Sequence, residues 1–224
     1  MSKIEIIPAI LPKDFAELSD KIELIKGFTK TVQIDVCDGQ FVPNATWPYR
    51  KKDDNFDRIL REEEGLPGWE QLNYEFDLMV NRPENVVEEW VRVGATRIII
   101  HAEAKGDIAA ALVKLGGIVD IGFAFNIETP LDLLELHRER IQFVQCMGID
   151  HIGYQHQPFD EKVLGKIKEV RLKYPGMPIS VDGGVSLETA PHLIAAGADR
   201  LVVGSAIFND ENPLDALQKF KRLG

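Results

Sequence analysis

The chain has 224 residues, 45% hydrophobic and 28% charged, with a formal net charge of -10 and a sequence pI near 5.0. This length suits one domain over 1–224 with a single sizeable core, and is short for two independent enzyme domains. The acidic balance opposes a broad nucleic-acid or anionic-membrane surface, either of which needs a basic stripe. An anionic substrate must then be met locally, by backbone amides.

Residues 4–11 read as a first strand stopped by Pro12. Phe15, Leu18, Ile22 and Ile25 give 14–26 helical spacing. The β-branched run Thr31–Cys37 is a second strand: alternation puts Gln33, Asp35 and Cys37 on one face and Val32, Ile34 and Val36 on the other. Alone, this stretch reads equally as an edge strand wetting its polar side. A charged helix is expected over 56–64, ended by Gly65-Leu-Pro-Gly68. The third strand covers 72–80, and Pro83 opens a helix whose stripe is Val86, Val87, Trp90 and Val93. Residues 97–101 form the fourth strand, before a helix over Ile108–Leu115.

A fifth strand over 118–125 leads to a helix opened by Pro130, and a sixth lies over 141–147. The connection 148–159 is long and irregular, long enough to act as a lid, and a helix over 161–173 follows. The seventh strand, 179–181, runs into Asp182-Gly183-Gly184 and a helix ending at Gly197. The eighth, 201–203, runs into Gly204-Ser205-Ala206 and a last helix over 213–223. Eight such alternations predict a single α/β (β/α)8 TIM barrel. A doubly wound sheet is the rival, but no Gly-x-Gly-x-x-Gly turn or strand-order reversal supports it. Charged stretches at 50–54 and 62–64 read as solvated faces. No signal-peptide core or run of about 18 apolar residues appears, so a soluble, cytoplasmic protein is expected. Cys37 and Cys146, in or beside expected strands, read as reduced thiols, with no metal-binding cysteine pair.

Barrel enzymes build their sites at the C-terminal ends of strands, where Gln33, Asp35, Asp77 and Asp182 qualify. Carboxylates about 4 Å apart repel by about 4 kcal/mol at an effective dielectric near 20. A cation, a shared proton, or separation and water must offset this, unless Asp77 is tied up away from the centre. The glycine turns after strands seven and eight offer backbone N–H groups to a phosphate. His151 and His156 read as loop histidines rather than a metal pair. His101 is expected as a neutral, hydrogen-bonded group. Met79 and Met147 fill core gaps or line an apolar wall.

These residues resemble the ribulose-phosphate 3-epimerase family nearly end to end. The matching motifs are Pro8-Ala-Ile-Leu11, Asp35-Val-Cys-Asp-Gly39, Phe41-Val-Pro-Asn44, Leu78-Met-Val80, His101-Ala-Glu103, Val181-Asp-Gly-Gly-Val185 and Gly204-Ser-Ala-Ile-Phe208. The resemblance implies an isomerase in which Asp35 and Asp182 flank a planar enediolate, one removing the C3 proton of a ketose phosphate and the other returning one to the opposite face. It implies that Gly183, Gly184, Gly204 and Ser205 hold the phosphate, that Met79 and Met147 line the site, and that a divalent metal steadies the enediolate oxygens.

The chain also departs from the family. Gln33 and Asp77 stand where the metal site has histidines, Ala9 replaces a serine and Cys37 a methionine. The Gly-Phe-Gly-Gly-Gln lid becomes Gly153-Tyr154-Gln155-His156-Gln157. With Asp35 and Asp182, the metal set Gln33 and Asp77 is all oxygen, which favours Mg²⁺ or Mn²⁺ over Zn²⁺. The expected partner is a phosphorylated sugar, with no nucleic acid and no membrane; a homo-oligomer stays open. A non-catalytic sugar-phosphate-binding homologue is the alternative reading. A related decarboxylase needs an Asp-x-Lys-x-x-Asp strand, and Asp35-Val-Cys-Asp38 lacks the lysine.

Overall fold

The computed structural model describes residues 4–51, 54–154 and 157–223. Its strands are β1 (Glu5–Ile10), β2 (Thr31–Cys37), β3 (Asn73–Met79), β4 (Ala95–His101), β5 (Asp120–Phe125), β6 (Phe143–Met147), β7 (Ile179–Asp182) and β8 (Arg200–Val203). They pair in chain order as a closed barrel, and β8 returns in parallel to β1. The expected TIM barrel is therefore the fold. Between the strands lie α1 (Phe15–Ile25), α2 (Asp54–Leu60), α3 (Val87–Arg92), α4 (Ile108–Leu115), α5 (Asp132–Glu135), α6 (Lys162–Lys173) and α7 (Ala190–Ala196); α8 (Ser205–Phe208) and α9 (Pro213–Lys221) close the chain.

Alternation along each strand divides the core in two. Val32, Ile34 and Val36 of β2 join Phe76 and Leu78 of β3 in the layer between barrel and helices, where α1 adds Leu18, Ile22 and Ile25. Asp14 starts α1 by accepting from Glu17 N at 2.9 Å. Cys37, Met79, Ile99, Ala124, Phe143 and Met147 pack in a separate cluster inside the barrel. Gln33 and Asp35 share the inward parity of Cys37, so β2 is a barrel strand rather than a wetted edge.

Three elements differ from the sequence reading. The helix expected over 56–64 ends at Leu60. Glu62 takes a left-handed φ of 61°, with Glu62 N on Ile59 O and Glu63 N on Arg58 O, a Schellman-type ending built without glycine. Pro83 opens a single 3-10 turn, Pro83–Asn85, before α3 begins at Val87. Pro130 leads into a helix of only four residues.

The floor of the barrel is ionic. Glu75 is fully buried and meets Arg97 at 3.3 Å; Glu5 meets Arg97 at 3.4 Å and Arg200 at 3.1 Å. Arg200 also lies over the Phe143 ring, 4.7 Å from its centroid. Burial pushes the Glu75 carboxyl up to about 7, although Arg97 and Arg200 pull it back. A native pKa above the unfolded value means that stability is full below the usual carboxylate range and falls as pH rises through about 7. The rise from 4.5 to about 7 corresponds to about 3 kcal/mol, at 1.36 kcal/mol per decade. Glu75→Gln is therefore expected to gain stability relative to the parent in urea melts at pH 8 and to lose that advantage at pH 4. Equal effects at both pH values would contradict this.

Candidate active site

At the C-terminal mouth, β2, β3 and β7 bring three carboxylates together. Asp35 and Asp77 are paired neighbours in the β2–β3 register, and Asp182 ends β7. Among the described residues, one oxygen from each of Asp35, Asp77 and Asp182 lies within 4.8 Å of the other two. Gln33 Nε2 donates to Asp35 Oδ1 and to Asp182 Oδ2, both at 2.8 Å. Asp77 is fully buried and accepts from Gln145 Nε2 at 3.2 Å, with His101 Nε2 2.9 Å away. Asp77 thus belongs to the centre and is not tied up elsewhere.

The donor set suits a divalent cation. Three carboxylates converge in a buried space, and Gln33 carries a buried Oε1 with no partner. The His101 imidazole contacts Asp77, but among the described residues no imidazole or thiol is grouped with all three carboxylates. Cys37 Sγ faces Met79 Sδ at 3.9 Å, and burial followed by the Asp35 and Asp77 charges pushes its thiol well above its ordinary value. His151 is exposed beside Asp150 at 3.2 Å, on the outer loop. His156 and Gln155 lie outside the described residues.

The expectation of a neutral His101 is corrected. Burial disfavours its charge, but Asp77 at 2.9 Å, with Glu103 3.8 Å from Nδ1, pushes it up to about 10. His101 lies between two carboxylates that favour its charged form. Glu103 is in turn held by Asn126 N at 2.9 Å and by the Thr129 hydroxyl, and its pKa is lowered because these bonds and His101 outweigh burial. Burial, then the neighbouring carboxylates, raises the pKa of both Asp35 and Asp182, against the Gln33 amide. Both shifts favour protonation of the pair over two free carboxylates.

Asp35 and Asp182 open into a cavity of about 500 Å³, also lined by Met79, Met147, Gly183, Gly184, Gly204 and Ser205. Among the described residues, no lysine or arginine lines it. Gly183 and Gly184 have φ of +95° and +67°, and a Cβ on Gly184 would come within 2.8 Å of Phe159 Cα, so only glycine fits this turn. The irregular 148–159 connection forms one wall through Ile149, Gly153 and Tyr154. Asn44 Nδ2 pins it by donating to Gly153 O at 2.8 Å.

Three residues of the mouth escaped the sequence reading. Asp38 gathers Gln40 N and Phe41 N at 2.7 Å and Asn81 N at 2.8 Å, tying the β2 loop to the end of β3. The buried Thr46 hydroxyl joins Asp35 O and Cys37 N, both at 2.9 Å, and fixes the end of β2. Gln145 was legible only as a polar residue sharing the parity of Met147 on a buried strand.

The sequence model of the ribulose-phosphate 3 epimerase family matches residues 5–208. The chain belongs to the ribulose-phosphate 3-epimerase family. The ribulose-phosphate 3-epimerase of Bacillus subtilis is 33% identical over 226 residues, covering 97% of this chain and 98% of its own. That of Escherichia coli K12 is 32% identical over 217 residues, covering 93% and 91%. By this membership the epimerase-family chain is an isomerase, and the alternative of a non-catalytic homologue gains no support. The crystal structure of 3-hexulose-6-phosphate synthase from Salmonella typhimurium shares the fold, with a TM-score of 0.73 at 13% identity over 98% of this chain and 98% of that one. No helix among the described residues is long and apolar enough to cross a membrane.

For the chelator-treated protein, ¹⁵N NMR is expected to find both His101 ring nitrogens protonated at pH 8. A neutral tautomer there would contradict the Asp77–His101 ion pair.

Proposed function

We propose that this epimerase inverts C3 of a phosphorylated ketose, ribulose 5-phosphate or a related sugar, by proton transfer between Asp35 and Asp182 through an enediolate. The observation that carries the reading is the single Gln33 nitrogen 2.8 Å from an oxygen of each acid. Two carboxylates from strands separated by β1 and β8 thereby face one small cavity.

Their shared environment suits a two-base reaction. Burial and the neighbouring carboxylates raise both acids toward the range in which one can accept a proton while the other gives one. The ionised acid takes the C3 proton, the C–H electrons form the C2–C3 double bond, and the carbonyl oxygen takes up the negative charge. The second acid then protonates C3 from the opposite face, and the electrons return to restore the carbonyl. The acids finish with their protons interchanged, ready for the reverse direction.

Asp35, Asp77 and Asp182, with Gln33 once its amide turns its oxygen inward, are the residues that would hold a divalent cation. Their oxygen-only donor set favours Mg²⁺ or Mn²⁺ over Zn²⁺. When bound, the cation supplies positive charge beside the enediolate oxygens. His101, charged behind Asp77, partly balances the carboxylates.

The phosphate is assigned to the main-chain nitrogens of Gly183, Gly184, Gly204 and Ser205, since among the described residues the lining offers no lysine or arginine. Met79 and Met147 form the apolar wall beside the reacting carbons and limit water there. A cytoplasmic setting accords with the free buried thiols of Cys37 and Cys146.

Deuterium wash-in from D₂O at C3 of ribulose 5-phosphate, followed by NMR, tests the reading. Exchange is expected in the parent and to fall at least about 10³-fold in Asp35→Asn and in Asp182→Asn, within the span of general acid–base contributions. Chelator treatment should remove it, and Mg²⁺ or Mn²⁺ rather than Zn²⁺ should restore it. No exchange across pentulose and hexulose phosphates would overturn the proposal.

A further inference from the structure

Gln145 lies on β6 beside Ser180 of β7, its side chain wholly inside the barrel. Its Nε2 donates to Asp77 Oδ2 at 3.2 Å and lies 3.5 Å from Asp182 Oδ2. Gln33 Nε2 bridges that same Asp182 oxygen to Asp35. Two amides therefore join three carboxylates in one chain, from Asp35 through Gln33, Asp182 and Gln145 to Asp77.

This arrangement satisfies only half of each amide. Gln33 Oε1 and Gln145 Oε1 are both buried without a hydrogen-bond partner. Such an unmet buried acceptor destabilises its state. A half turn about the last bond of a primary amide exchanges oxygen for nitrogen at nearly constant shape, so the same side chain can present either group to the carboxylates. The turned oxygens would approach the carboxylate oxygens at the present nitrogen positions, and four or five oxygens so close repel unless positive charge lies among them. Around Mg²⁺ or Mn²⁺, ligand oxygens about 2.0–2.1 Å from the ion are about 2.9 Å from their neighbours in an octahedron. The 2.8 Å and 3.2 Å spacings here bracket that edge, and the 3.5 Å from Gln145 to Asp182 exceeds it.

We propose that Gln145 is a further member of the cation site: its N–H group holds Asp77 and Asp182 together when no cation is bound, and its Oε1 turns inward as a ligand when one binds. The proposal rests on the reading of the carboxylate cluster as a cation site and extends it beyond Gln33, Asp35, Asp77 and Asp182. Gln145 acts on the carboxylates and the cation, not on substrate. It is a positioning residue, which makes a test that does not depend on turnover the appropriate one.

The experiment is Mn²⁺ titration of the full chain, followed by the electron paramagnetic resonance of free Mn²⁺, with thermal melts of the chelator-treated protein alongside. Gln145→Leu loses both donor and acceptor, and is expected to weaken Mn²⁺ binding about tenfold and to lower the metal-free melting temperature. Gln145→Glu presents oxygen without turning. It is expected to bind Mn²⁺ at least as tightly as the parent while melting several degrees lower without it, because it adds a carboxylate and removes a donor. Unchanged Mn²⁺ affinity in Gln145→Leu would overturn the proposal, as would weaker binding in Gln145→Glu or no binding by the parent. If the leucine variant fails to fold, the glutamate variant alone decides. Deuterium exchange separates this from the proposed reaction: Mn²⁺ bound through Gln145 without exchange at C3 removes the reaction and leaves the site, whereas exchange with Mn²⁺ affinity indifferent to Gln145 does the reverse.

Discussion

The site depends on one amide nitrogen held between two acids. Gln33 Nε2 reaches Asp35 and Asp182 at 2.8 Å each, so the residues with the strongest reason to repel share a donor. A pair of charges about 4 Å apart at an effective dielectric near 20 carries about 4 kcal/mol, and Asp77 adds a third acid to the group. The Gln33 and Gln145 amides donate to the carboxylates, and His101 stands 2.9 Å from Asp77, which favours its charged form.

The closed barrel makes that juxtaposition possible. Asp35 and Asp182 are 147 positions apart in the chain, by subtraction of their numbers, and only closure of β8 onto β1 brings their strands around a common axis. Below them the interior is held by Glu5, Glu75, Arg97 and Arg200, an ionic floor whose buried Glu75 makes it sensitive to pH. Above them, Asp38, Thr46 and Asn44 hold the β2 loop against the β3 end and the 148–159 wall. The reactive layer lies between two polar layers, which limits how far its carboxylates can move apart.

The barrel was legible in the sequence because its signals are local: alternating helix and strand periods, with turns marked by Gly65, Gly94, Gly197 and Gly204. Asp35 was legible for the same reason, since parity on Thr31–Cys37 alone puts it with Gln33 on the inward face. The charge on His101 was not, because it depends on Asp77, 24 residues away on the neighbouring strand. Gln145 sits in the apolar run Phe143-Val-Gln-Cys-Met147, and its importance comes from a carboxylate on β7 and another on β3. The early end of α2 was hidden because Glu62, rather than the nearby Gly65, takes the left-handed turn.

In the proposed reaction Asp35 and Asp182 stand on either side of the carbon whose configuration changes. A crystal structure with a bound ketose phosphate measures this directly. C3 is expected between the two carboxylates, one oxygen of each within about 3.5 Å on opposite faces, as a near-attack arrangement requires, with the phosphate against the Gly183–Gly184 turn. A sugar bound with both acids on one face of C3, or with C3 outside the space between them, would contradict it.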